Sequence, residues 1–395
     1  MELVLANDIG NDKMKILEPG MKEVMKIPSV YKKILKNPSV HESDVKKNVT
    51  NLLDQLIVHI TSSSIRFPGL YMIGERALHT TENVRNMNIL VDQKHTSDLP
   101  LINTLGYAAA RAVQKEFDEK GSLSKTLLNV EVFMSSAIPA SQHNIDTAKH
   151  LENRFMDNTH LVIVYVGKEA VTVQLDFKKV KVTKEGIPAL YAIFEGPREM
   201  FKEFSKEYQI ENIAGSSFAD SKIMHVDIGS GTTEYIYTIG VNPSPDQCTG
   251  ERHGVGHAVQ EAINLMKEER KGLNINRQQF VKYIERPEEY PKDNELAVEC
   301  LKQARLIQIE AILNDIEERY ITTLSSEPEF IAVYGGGSIE FKEDMYNYLK
   351  EFADSVNAKV LWISKEFAVD MNVRGLDILN QNMLFEEEYQ KLEMV

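Results

Sequence analysis

Apolar positions along this chain fall into short runs that read as strands, broken by longer runs at helical spacing. Leu3 to Leu17 gives an apolar strand, a polar turn from Asn7 to Asp12 and a second strand carrying Met14, Ile16 and Leu17, a hairpin with Gly10 at its bend. Ile223 to Ile239 repeats that plan of strand, glycine turn and strand. Between the two, the pattern predicts a strand-rich, interrupted stretch from about Met21 to Ala77 and an amphipathic helix over Leu101 to Phe117. A buried strand follows at Val130 to Met134, its exit fixed by Ile138-Pro139. Three further strands are expected at Leu161 to Val166, Val171 to Leu175 and Val180 to Val182. A helix from Pro188 to Tyr208 comes next, interrupted at Gly196-Pro197.

Beyond the second hairpin the spacing predicts helices over Ala258 to Lys267 and Asn294 to Tyr320, then a short buried strand, Phe330 to Tyr334, that stops at Gly335-Gly336-Gly337. Helix (Lys342 to Ser355), strand (Lys359 to Ile363) and helix (Asn372 to Leu384) complete an α/β chain. Its 395 residues are more than one hydrophobic core usually organises, so two lobes are expected. No Pro/Ser-rich tether separates them, which implies ordered connections.

Composition narrows the setting. With 43% apolar and 26% charged residues the balance is that of a globular protein, and no stretch approaches the roughly 20 apolar residues of a membrane helix. Met1 runs directly into Leu3-Val4-Leu5-Ala6 without a basic leader or cleavage site, so the expectation is a cytoplasmic protein with no membrane partner. Cys248 and Cys300 have neither metal-ligand spacing nor the number of a disulfide scaffold, as expected of a reducing compartment. A net charge of −14 opposes direct binding to nucleic acid, whose phosphates need clustered Lys and Arg. The acidic run Glu386-Glu387-Glu388 reads as a solvated helix end.

Three glycine motifs carry the candidate chemistry. Asp8-Ile9-Gly10-Asn11, with Lys15 beyond, places an acid, a glycine bend and a cation on one hairpin, where backbone N–H groups can approach phosphate and the lysine adds a point charge. Asp227-Ile228-Gly229-Ser230-Gly231-Thr232-Thr233 does the same in the second hairpin, with two glycines. Gly335-Gly336-Gly337-Ser338 follows a buried strand and precedes a helix, where a flat backbone could lie against a base and sugar. Each alone is also an ordinary tight turn. Together, two hairpins of one plan predict a cleft that holds a nucleotide's phosphates, with Asp8 and Asp227 reaching Mg²⁺ through its waters.

Order and spacing of these elements resemble the phosphate 1, phosphate 2 and adenosine motifs of the actin, sugar kinase and heat-shock chaperone superfamily. Within it, Ile27-Pro28-Ser29-Val30, Tyr71-Met72-Ile73-Gly74-Glu75-Arg76-Ala77, Ala137-Ile138-Pro139 and Met371-Asn372-Val373-Arg374-Gly375 are similar to the ParM group of plasmid-segregation actins. The resemblance implies an actin-like fold, two ribonuclease H-like lobes with a nucleotide cleft between them. It implies a first lobe of residues 1–187 plus 365–395, with a small insertion at about 21–80. The second lobe is then 188–364, with a helical insertion at about 241–329.

The same resemblance implies a protein that hydrolyses ATP, or GTP, with Mg²⁺ and forms homopolymeric filaments that segregate plasmid DNA through a DNA-binding adaptor. Glu185, in Lys184-Glu185-Gly186-Ile187-Pro188-Ala189, is then the residue that orients the attacking water, and Glu195 is its rival. Adenine and ribose contacts are expected from the helical insertion, where Glu251, Arg252, Gln303 and Arg305 are candidates, while His225 and His253 read as structural. Two alternatives stand beside this reading. A cell-shape or division actin would display a membrane-binding amphipathic or apolar terminal segment, which the acidic end does not offer. A non-polymerising small-molecule kinase would need a catalytic Asp in the cleft that the sequence does not single out.

Overall fold

The protein, a computed structural model describing residues 1–38, 44–80, 83–89, 91–275 and 277–393, divides into two units. The first comprises Met1–Ile138, Gln142–Ala189 and Asn372–Val395, and the second Pro139–Ser141 and Leu190–Met371.

In the first unit, strands β1 (Glu2–Ile9), β2 (Lys13–Leu17), β3 (Met25–Pro28), β4 (Val30–Ile34), β5 (Ile57–Thr61) and β6 (Gly69–Ile73) are followed by β7 (Arg85–Asn86), β8 (Leu128–Ile138), β9 (His160–Val166) and β10 (Glu169–Lys184). They form one ten-stranded sheet in the order β3-β2-β1-β8-β10-β9-β5-β6-β4-β7. The strands of the 21–77 stretch therefore extend the main sheet at both ends, β3 against β2 and β4, β5 and β6 through β5 against β9. β1 lies antiparallel to β2 and parallel to β8, and β8 is parallel to β10. Seven consecutive residues of β1 are buried, the pattern of a strand covered on both faces.

The sequence pattern divides β10 into two strands, but it is one strand of 16 residues. Val171, Val173, Leu175 and Phe177 face the core at odd positions, Val180 and Val182 at even ones. A bulge between Phe177 and Lys179 supplies the extra residue that switches the parity. A single break in alternation therefore reads as a loop although the ladder continues.

Helices of this unit are α1 (Val45–Thr50), α2 (Glu75–Leu78), α3 (Leu99–Lys120) and α4 (Ile145–Met156), with the start of α5 (Ile187–Phe194). α3 covers the predicted Leu101–Phe117 helix but buries more than one face. Almost every residue from Leu99 to Val113 is buried, as in a helix enclosed by its own domain. Small residues allow this: a side chain at Gly106 would run into Ile73.

The second unit continues with α6 (Lys202–Tyr208), β11 (Lys222–Ile228), β12 (Thr233–Ile239), β13 (Asn242–Pro243), β14 (Thr249–Glu251), α7 (Val255–Glu269), α8 (Arg277–Glu285) and α9 (Pro291–Glu318). Then come β15 (Phe330–Tyr334), α10 (Gly336–Ser355), β16 (Lys359–Trp362), α11 (Lys365–Ala368) and α12 (Met371–Leu379), whose chain re-enters the first unit and ends in α13 (Glu386–Glu393). β11 is antiparallel to β12 and parallel to β15, and β15 is parallel to β16. The local plan of the first unit, a hairpin beside parallel strands, is thus repeated.

α10 places Phe341, Met345, Leu349 and Ala353, every fourth residue, in the core against this sheet. α9 serves two cores: Ala297, Cys300 and Ala304 pack with α7 and α8, and Ile309, Ile312 and Ile316 pack on the sheet. α13 opens with Glu386, Glu387 and Glu388 in its first turn, where carboxylates complement the helix dipole.

Candidate functional site

In the first unit the hairpin turn is closed by its own backbone. Gly10 N donates to Asp8 O (3.0 Å), and an added Cβ at Gly10 would lie 2.5 Å from Lys13 O. The second hairpin closes through a different bond, Gly229 N donating to Thr232 O (2.9 Å), but shares the tight contact: a Cβ at Gly229 would lie 2.9 Å from that oxygen. In each case the carbonyl three residues on occupies the place of a side chain. The backbone packing of each turn therefore favours glycine at both positions, and in this structure each glycine N–H bonds within its own turn.

Register sets Asp8 opposite Lys15, and Lys15 Nζ lies 3.0 Å from Asp8 Oδ2. Asn11 sits half-buried at the tip. Ser29, buried just after β3, locks the turn from outside. Its Oγ donates to Gly10 O (2.6 Å) and its N–H to Asp12 O (2.8 Å). Nothing in the Ile27-Pro28-Ser29-Val30 pattern alone marks Ser29 for this role.

β10 delivers Glu185 to the same end of the sheet. Asn7 of β1 pairs with Ser136 of β8, and Lys184 of β10 pairs with Ile138, so Asp8 and Glu185 leave neighbouring parallel ladders at their carboxyl ends. Glu185 N donates to Ile138 O (2.8 Å), and Gly186, at φ +81, donates to Asn372 Oδ1 (3.0 Å). Gly375 of α12 packs against the Pro188 backbone so closely that no side chain fits there.

Glu185 is 13% exposed and its carboxylate is paired with Lys94. Burial pushes its carboxyl above the ordinary range. Lys94 opposes that, the Asp8 charge adds to it, and Lys15 opposes it again. The four residues thus form one electrostatic cluster, of which Lys94 is the member the sequence did not reveal. Glu195 follows α5 in the second unit and is exposed.

In the second unit Asp227 is buried at the end of β11. Thr233, fully buried, donates through Oγ1 to His253 O (3.1 Å). The glycine turn rests on the start of α7: Val255 N and Gly256 N donate to Gly229 O (3.4 Å) and Ser230 O (2.8 Å), and His257 Nε2 contacts Gly231 O (2.8 Å). Arg277 Nη2 reaches Ser230 Oγ at 3.5 Å.

The third glycine motif belongs to the same assembly. Parallel register sets Tyr334 beside Asp227, Gly335 has φ +90, and a side chain there would strike Asp227 Oδ1 and Ile228 O. A Cβ at Gly337 would lie 2.6 Å from Ile228 Cγ2 and 3.0 Å from Gly229 O. Gly336 alone of the three faces open space. α10 begins at Gly336, six residues before the predicted start at Lys342, so the glycines form the helix's first turn and lie at the positive end of its dipole.

Of the expected base-contacting residues, Glu251 is paired with Arg319 (2.6 Å), and Arg305 is bound to Glu340 O and lies 3.7 Å from Asp344. Gln303 is exposed. His225 is buried with Nε2 3.0 Å from Thr238 Oγ1, and His253 lies 3.4 Å from Asp315. Among the described residues no cluster of three or more His, Cys, Asp or Glu side chains forms a ready-made metal site, and no helix is long and apolar enough to cross a membrane.

This architecture is the actin-like α/β fold. No family model matches the chain, and no curated protein matches it by sequence. Solved structures match over essentially its full length. The crystal structure of the actin-like protein Alp7A is 17% identical with a TM-score of 0.67 and covers 100% of both chains. A 15-stranded ParM filament from Clostridium botulinum is 16% identical with a TM-score of 0.66, covering 97% of this chain and 99% of that one. Bacillus thuringiensis ParM with ADP is 17% identical with a TM-score of 0.57, covering 96% and 98%. The chain therefore has the fold of the ParM-type actin-like proteins.

Proposed function

We propose that this chain is an actin-like ATPase that assembles into nucleotide-dependent filaments. The observation that carries the reading is the grouping of Asp8, Lys15 and Glu185 where the parallel strands of the first unit end, the place where α/β sheets bind ligands. Lys15 and the Asn11 turn are assigned to phosphate, as are Ser230, Gly231, Thr232 and Thr233 of the second hairpin. Gly335, Gly336 and Gly337 form the helix start assigned to the nucleotide, with Gly336 the open position.

Asp8 suits a Mg²⁺ held through water. Its Oδ2 is satisfied by Lys15 (3.0 Å), and one or two carboxylates beside phosphate are a usual environment for this ion. Asp227 is the second carboxylate assigned to it. When bound, Mg²⁺ supplies charge neutralisation on the phosphates. Glu185 accepts a hydrogen bond from the attacking water and orients it toward the γ-phosphorus.

Support for assembly and for the nucleotide comes from the similar proteins, one solved as a ParM filament and others with ADP and ATP. Segregation of plasmid DNA in the cytoplasm through a DNA-binding adaptor completes the proposal. The net charge of −14 supports an adaptor over direct DNA contact.

Light scattering and sedimentation with Mg-ATP, followed by electron microscopy, test assembly. Wild type should scatter and pellet with ATP, whereas D8N and D227N should neither assemble nor hydrolyse. Protein that never assembles, and turns over ATP only when a small acceptor molecule is added, would replace the filament reading with a kinase.

A further inference from the structure

Lys94 has only 3% of its side chain exposed, an unusual place for a lysine, because a buried ammonium without a partner costs several kcal/mol. Its partner is Glu185. The segment that carries it is fixed from α4. Lys94 N donates to Gln142 Oε1 (3.0 Å), and Gln142 O accepts from Oγ1 of Thr147 (2.7 Å), which with Asn144 forms the capping box of that helix. Arg154 of α4 clamps the following residues, donating to Ser97 O (2.6 Å), His95 O (3.1 Å) and Asp98 Oδ1 (2.6 Å).

The same helix holds the other partner's strand. Glu152 Oε1 accepts from Val182 N (2.9 Å), three residues before Glu185. Lysine and glutamate thus both hang from α4, and their separation is set by one rigid element. Lys94 occupies Glu185 Oε1, while Oε2 accepts no hydrogen bond from the described residues.

We infer that Lys94 is a positioning residue for nucleotide hydrolysis, holding Glu185 by Oε1 so that Oε2 is the oxygen offered to the attacking water. This rests on the reading of Glu185 as the water-orienting residue. In the step it serves, the water oxygen bonds to the γ-phosphorus as the bond to the bridging oxygen breaks. The bridging electron pair leaves with ADP, and the water's proton passes through Oε2 to the released phosphate.

The charged groups acting on Glu185 are Asp8 on β1, Lys15 on β2 and Lys94. Removing Lys94 takes away the larger of the two attractions that oppose the upward push on the Glu185 carboxyl. The acid limb of the hydrolysis rate must then move to higher pH.

The test is ATP hydrolysis against pH for K94M, K94R and E185Q, with ATP affinity and melting temperature measured in parallel. K94M should lower kcat on the order of 10²-fold, the cost of a misplaced catalytic group, with little change in KM and an acid limb at higher pH. K94R should restore both. In nucleotide-free protein, carbon-13 NMR of the glutamate carboxyls should show the same upward shift for the signal that E185Q removes. A folded K94M with wild-type rate and an unmoved limb would overturn the inference. If K94M does not fold, K94Q keeps a hydrogen bond without the charge, and an unmoved limb there is equally decisive. E185Q at wild-type rate would instead overturn the Glu185 reading itself.

Discussion

Glu18, immediately after β2, is the anchor of the first hairpin, and removing it gives a sharp test of how that hairpin is held. Its carboxylate is 1% exposed and receives Tyr107 Oη (2.7 Å), Arg111 Nε (2.7 Å) and Lys115 Nζ (2.9 Å). The three donors stand at four-residue intervals on one face of α3. E18A leaves the buried Tyr107 hydroxyl without its acceptor and two cations without their counter-ion, and breaking a buried pair from one side costs about 3–5 kcal/mol. E18Q keeps the shape and part of the hydrogen bonding, so about 1.5–3 kcal/mol is expected. Either is a large share of the roughly 5–15 kcal/mol that holds a domain together.

The pH dependence follows. Burial pushes the Glu18 carboxyl up, but the Arg111 hydrogen bond and the Lys115 and Arg111 charges outweigh it and hold it below the ordinary range. Its contribution is therefore present above the unfolded pKa, about 4.3, and is lost as pH falls through the lower folded value. Two units need not unfold together, so the readout is hydrogen exchange of α3 and hairpin amides in urea series at several pH values. E18A within about 1 kcal/mol of wild type, or E18Q with an unchanged acid-side slope, would refute the reasoning.

Two further outcomes are expected. G335A must accommodate a side chain at φ +90 against Asp227 and Ile228, so it should lower the melting temperature of the second unit and weaken nucleotide binding. Wild-type calorimetry and affinity for G335A would count against that packing. Burial pushes the His225 imidazole down to about 3, below its unfolded value, so the neutral ring's contribution is complete above about 6.5 and declines as the solution is acidified below it. Urea denaturation of H225N between pH 7 and pH 4 should show a shallower decline than wild type, and equal slopes would contradict the assignment.

Both hairpins and their acids were legible because each motif is contiguous: Asp8 with Gly10, and Asp227 with Gly229, are held in register by strands whose apolar runs are visible in the sequence. What the glycines do was not legible. Whether a turn N–H points to a ligand or closes on Asp8 O or Thr232 O is decided by backbone angles that residue names do not specify. Lys94 was hidden for a different reason. It stands in a polar stretch that reads as solvated loop, and its partner lies 91 residues away, brought near only by the hold of α4 on both segments. The helix start at Gly336 was missed because glycine has poor helix propensity, which the packing of Gly335 and Gly337 against β11 overrides.

The contacts of Gly186 with Asn372 and of Gly375 with Pro188 bear on how the chain can be cut and rejoined. The chain leaves the first unit after Ala189 and returns at Asn372, and these contacts hold the two points side by side. Apart from the excursion Pro139–Ser141, everything from Leu190 to Met371 is thus a cassette whose two ends meet at one doorway. Excising such a cassette and bridging the doorway with a short linker would remove no strand of the ten-stranded sheet. The reverse operation has no equivalent, because the first unit is assembled from three separate lengths of chain.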